Sequence, residues 1–64
     1  MRKHYYCEMC FYNKYGDNIS IRKQFFCEQK DLNKLVGSFI SELREKNELF
    51  SEYYFNGWEV IGCE

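Results

Sequence analysis

From Lys3 to Asn13 the side chains alternate: Tyr5, Cys7, Met9 and Phe11 share one side, and Tyr6, Glu8, Cys10 and Tyr12 share the other. A period of two predicts a β-strand. The same period returns from Ile19 to Cys27, with Ile19, Ile21, Phe25 and Cys27 on one side and Lys23 as the exception, and Ser20, Arg22, Gln24, Phe26 and Glu28 on the other. Between the two runs lies Lys14-Tyr15-Gly16-Asp17-Asn18, which supplies a glycine for positive φ and Asx side chains for local hydrogen bonds. The two runs predict a hairpin. A two-residue turn at Gly16-Asp17 would place Phe11 beside Arg22, core against solvent. A three- or five-residue loop instead pairs odd with odd, so that Phe11 meets Ile21 or Lys23 and Cys7 meets Phe25 or Cys27 on one apolar face. The odd-length loop is the expected one.

Asp31 to Lys46 changes period. Leu32, Leu35, Val36, Phe39, Ile40 and Leu43 form a stripe at 3.6-residue spacing, which predicts an amphipathic helix. Asp31 is the expected N-cap, Arg44 and Lys46 suit the C-terminal dipole, and Asn47 is the expected end. In the tail, Glu52-Tyr53-Tyr54-Phe55, then Asn56-Gly57, then Trp58-Glu59-Val60-Ile61 reads as a second hairpin on the Asn-Gly signal. Phe50, Tyr53 and Tyr54 also fit helical spacing, so residues 49–55 are strand or helix, and Trp58 to Cys63 is a strand in either case. The expectation is a single α+β domain spanning residues 1–64, ββαβ(β), with a helix on one face of an antiparallel sheet of three or four strands. Such a layout leaves the second sheet face open.

Composition narrows the function. Sixty-four residues with 45% hydrophobic and 20% aromatic content suit a small globule and not a disordered tail. Residues 1–30 carry six basic side chains against three acidic, for +3, and residues 31–64 carry three against seven, for −4. With the total at −1 and a pI of about 5.8, the chain lacks the basic balance of a phosphate-tracking protein, so nucleic acid is the lesser reading. No apolar run is long enough to span a membrane, and the opening residues do not read as an export signal. A cytoplasmic location with reduced cysteines is expected.

Four cysteines and one histidine raise the question of zinc. His4-x2-Cys7-x2-Cys10, with Cys27 and Cys63 at a distance, supplies enough ligands. On a regular strand, however, Cys7 and Cys10 lie about 10 Å apart and point to opposite faces, whereas two sulfurs on one zinc approach to about 3.8 Å. Cys7 and Cys27 read as small core hydrophobes, and no metal or other cofactor is expected. A redox Cys-x-x-Cys belongs at a helix N-terminus, not in a strand. No nucleophile elbow, metalloprotease helix or phosphate loop is present, His4 stands in a terminal segment expected to fray, and Glu42, Glu45, Glu48 and Glu52 read as a solvated face. The chain is therefore not expected to be an enzyme.

Aromatic residues supply the remaining signal. With Tyr5, Phe11, Phe25 and Phe39 under the helix, joined by Tyr53, Phe55 and Trp58, the residues Tyr6, Tyr12 and Phe26 and, between them, Arg22 are left on the open face. These residue types concentrate at binding hot spots. The expectation is a non-catalytic protein-binding module, an inhibitor or adaptor, that docks through Tyr6, Tyr12, Arg22 and Phe26 on another protein or on a second copy of itself. Glu42, Glu45 and Glu52 form a rival acidic interface. The alternative is a zinc-stabilised or aromatic-platform nucleic-acid-binding domain. In size and lack of motif the chain resembles the small proteins of phages and mobile elements, a likeness of type that rests on no particular residue and implies occlusion of a host enzyme.

Overall fold

The computed structural model describes residues 1–46 and 52–64. Strands β1 (Lys3–Tyr12), β2 (Asn18–Cys27) and β3 (Tyr54–Cys63) form an antiparallel sheet in the order β2-β1-β3, and α1 (Leu32–Glu45) lies between β2 and β3 in sequence. Both outer strands run antiparallel to β1, so they run parallel to each other and the chain joining them must cross the sheet. The helix is that crossover. Its stripe buries Leu32, Val36, Ile40 and Leu43 against the sheet, with Leu35 and Phe39 half-buried at the margin.

The sheet answers with its odd-numbered side chains. Cys7 and Met9 are fully buried and Phe11 nearly so, because β1 is flanked by a strand on each side and roofed by the helix. Met9, Phe11, Val36, Ile40 and Leu43 form one core cluster; Tyr5, Cys7, Cys27 and Leu32 form the other. Burying each large apolar side chain is worth about 1.5–3 kcal/mol. Phe25 meets Phe39 edge to face at 6.1 Å. Lys23, the polar interruption of the β2 pattern, stays exposed with its ammonium 5.5 Å from the centre of the Phe39 ring.

The hairpin keeps the odd-to-odd parity but not the expected partners. Phe11 meets Ile19, not Ile21 or Lys23, and Cys7 meets Lys23, not Phe25 or Cys27. The cause is the position of the glycine in its loop. Gly16 has φ +86° and its N–H donates to the Asn13 carbonyl at 3.1 Å, so Lys14-Tyr15-Gly16 is a three-residue loop with the left-handed position last. The turn therefore centres on Tyr15. Asn13 closes it: its Oδ1 accepts from the Tyr15 and Asp17 amides at 3.0 and 2.9 Å, and its Nδ2 donates to the Asp17 carboxylate at 3.2 Å.

Two expectations about the chain ends of the helix and sheet are corrected. Asp31 is not a side-chain cap: a 3-10 turn, Gln29–Asp31, precedes the helix, Asp31 already has helical φ and ψ, and the extended residue at the entry is Glu28. Asn47 lies outside the described residues. The second hairpin is absent, because β3 runs unbroken through Asn56-Gly57. Pairing shifts there: Phe11 meets Phe55 while Cys10 meets Gly57, leaving Asn56 as an extra residue, and Ile61 is a second one, between Gly62 opposite Tyr6 and Val60 opposite Cys7. Gly57, at φ +133°, serves a β-bulge and not a turn. Of residues 49–55, Tyr54 and Phe55 are strand, Glu52 is in a turn, and 49–51 lie outside the described residues.

Candidate functional site

Opposite the helix, the even-numbered side chains of β1 and β2 form a face that no described residue covers. Cross-strand pairing arranges it in rows. Phe26 stands beside His4, Gln24 beside Tyr6, Arg22 beside Glu8, Ser20 beside Cys10 and Asn18 beside Tyr12, and β3 extends the rows with Gly62 at Tyr6, Glu59 at Glu8, Gly57 at Cys10 and Tyr54 at Tyr12. Tyr6, Tyr12, Arg22 and Phe26 all point to this side. They are not one cluster. Phe26 and Tyr12 sit at opposite ends, about 27 Å apart at 3.4 Å per residue.

Each end is an aromatic pair. The His4 and Phe26 rings pack at a 37° tilt with centroids 4.6 Å apart, and Tyr12 and Tyr54 pair at 5.7 Å. His4 is not frayed, contrary to the expectation from its terminal position: its amide and carbonyl exchange 2.8 Å hydrogen bonds with Glu64, and its Nδ1 bonds the Gln24 amide group. Phe26 at 57% and Tyr12 at 42% exposure leave their outer ring faces in water. Between the ends, Tyr6 leans over Gly62, where an added Cβ would approach its ring to 3.3 Å. Partial burial and the Glu64 carboxylate, which accepts a hydrogen bond from the phenol, push the Tyr6 pKa above its ordinary value. Beside Tyr6, a depression of about 460 Å³ is bounded by Arg22 and Gln24 on one flank and Ile61 and Gly62 on the other.

The central row carries the charge. Arg22 Nε donates to Glu8 Oε2 at 2.9 Å, and Glu59 stands in register on the far side of Glu8. Like charges directly opposite on neighbouring strands repel. Among the described residues Glu59 has no cationic partner.

The rival acidic surface is less organised. Glu42 is bound to Lys46 at 2.9 Å, which lowers its pKa, while Glu45 and Glu52 are exposed and Glu48 lies outside the described residues. The cysteines divide by face, Cys7 under the helix and Cys10 on the open side, so the pair cannot share a tetrahedral ion. Among the described residues no group of three His, Cys, Asp or Glu side chains is placed to hold a metal. Burial, then the neighbouring Cys27, raises the Cys7 pKa; burial, then Asp31, raises that of Cys27. Both thiols are poor nucleophiles in the folded chain. No helix among the described residues is long and apolar enough to cross a membrane.

Sequence reasoning missed four members of the open face: His4, Tyr54, Glu59 and Ile61. His4 is legible from the β1 alternation. The other three depend on the β3 register, which the two bulges hide. Comparison with protein-family models, curated proteins and solved structures found no match to this chain.

Proposed function

We propose that this chain is a non-catalytic protein-binding domain, an inhibitor or adaptor by mode of action, and that the open sheet face is its docking surface. One observation carries the reading: the aromatic rings of His4, Tyr6, Tyr12, Phe26 and Tyr54, with Arg22 among them, line a face left uncovered by the crossover helix. Tyr and Arg offer large contact area at modest entropic cost, which suits such a surface. Glu8, Glu59 and Glu64 on or beside it argue against a track for nucleic-acid phosphates.

Edge pairing is the obvious competing mode for a small sheet, and both edges are guarded against it. Lys23 projects a charge toward the helix side of β2, and the bulges at Asn56 and Ile61 break the hydrogen-bonding ladder of β3. The face is left as the larger offer. Replacing Tyr12 and Phe26 together by serine, at two half-exposed positions, is expected to preserve the circular dichroism spectrum and melting point while abolishing partner capture. Unfolding of that variant would make the rings core, and undiminished capture would place the surface elsewhere.

A further inference from the structure

We infer that the occupant of the open face is a second copy of this chain, packed face to face about a two-fold axis that runs along β1. This rests on the reading of that face as a docking surface and names its partner. In the central row Arg22 on β2, Glu8 on β1 and Glu59 on β3 follow one another across the sheet. Glu8 already holds Arg22, so among the described residues Glu59 faces only another carboxylate within its own chain.

Where two stacked sheets pack with their strands aligned, a two-fold axis between them runs either across the strands or along them. An axis across the strands lays β2 on β2 and sets Arg22 over Arg22. An axis along β1 lays the β2 of each copy over the β3 of the other, so Arg22 falls over Glu59 twice, while Glu8 meets its own copy in either orientation. Charge selects the second. The row lies near the middle of the ten-residue strands, where sheet twist displaces the partners least.

Shape agrees with this pairing. The same rotation carries Ile61 of each copy, an exposed apolar side chain, over the Arg22 and Gln24 flank of the other's depression. Tyr12 comes to face Tyr12 beside the axis, an arrangement open to offset stacking. The open face of three ten-residue strands spans about 34 × 14 Å, so two copies together would bury about 960 Å², at the weak end for a specific contact. An isologous contact of this kind closes on itself and stops at two copies.

The test is sedimentation equilibrium of the purified chain across a concentration series, with Arg22→Glu, Glu59→Arg and the combined R22E/E59R variant, each checked by circular dichroism. Wild type is expected to dimerise. Each single variant sets like charges against each other at two symmetric places and should weaken the dimer by about tenfold or more, and the combined variant, which restores opposite charges, should recover most of the loss. A wild-type chain that stays monomeric to about 1 mM overturns the inference. The docking-face reading would survive that result if Y12S/F26S still abolished capture of another protein. A dimer indifferent to all three charge variants also overturns it, by placing the contact elsewhere.

Discussion

Asn13 should be the most sensitive polar residue among the described residues. It is only 6% exposed, and its side chain makes three hydrogen bonds that hold the hairpin loop: two accepted from the Tyr15 and Asp17 amides and one donated to the Asp17 carboxylate. Asn13→Ala removes all three and strands two part-buried N–H groups. At about 1 kcal/mol net for each bond, the expected loss is about 2–3 kcal/mol. A chain this small has a total stability of only about 3–10 kcal/mol, so the variant should sit close to unfolding. Urea denaturation followed by circular dichroism measures it: with a slope of about 1 kcal/mol per molar, the midpoint should fall by about 2–3 M. Asn13→Asp can still accept both amide bonds but loses the donor and sets a charge against Asp17, so it should fall between wild type and alanine at neutral pH. Should alanine come within about 0.5 kcal/mol of wild type, the loop is held by Gly16 and strand pairing alone, and Asn13 has no part in setting the register.

Gly16→Ala forces a β-carbon into the left-handed region and should lower stability by about 1–2 kcal/mol in the same assay; no loss would mean the loop relaxes to another turn. Native-state alkylation with iodoacetamide near pH 8, read by mass spectrometry, should modify Cys63 first and Cys10 more slowly, leaving Cys7 and Cys27 protected until the chain unfolds. Because the Cys7, Cys27 and Tyr6 pKa values are raised on folding, the folded state holds protons that the unfolded chain releases. Stability should thus be level below the unfolded thiol pKa, at about 8.5, and fall as pH climbs above it; Cys7→Ala should flatten part of that slope, and a midpoint that rose with pH would contradict the shifts.

What can be read in the sequence follows the length scale of the interactions concerned. The β1 and β2 alternation and the α1 stripe are local periods set by burial on one side, and the structure keeps both, down to Lys23 as the outlier that stays in water. The parity of the hairpin is legible for the same reason, since a one-residue slip would turn Phe11 and Met9 to solvent. Its register is not, because the choice between Ile19 and Ile21 opposite Phe11 turns on which loop position Gly16 fills. At Asn56-Gly57 a strong local signal points to a turn, and the long-range pairing of β3 with β1 converts the same backbone freedom into a bulge. The candidate face divides along the same line: Tyr6, Tyr12, Arg22 and Phe26 come from the readable strands, whereas Tyr54, Glu59 and Ile61 come from the strand whose register only the fold reveals.

The strand at the centre of the sheet is the first in chain order, and its two neighbours are the second and the last. Cys7 and Met9 therefore stay half-sheltered until a segment some fifty residues downstream arrives to complete the ladder. An early hairpin with its helix is an unfinished object with one long bare flank, prone to pair with the wrong strand. Folding becomes a whole-chain event, and a shortened chain lacking β3 loses its inner wall along with an outer one.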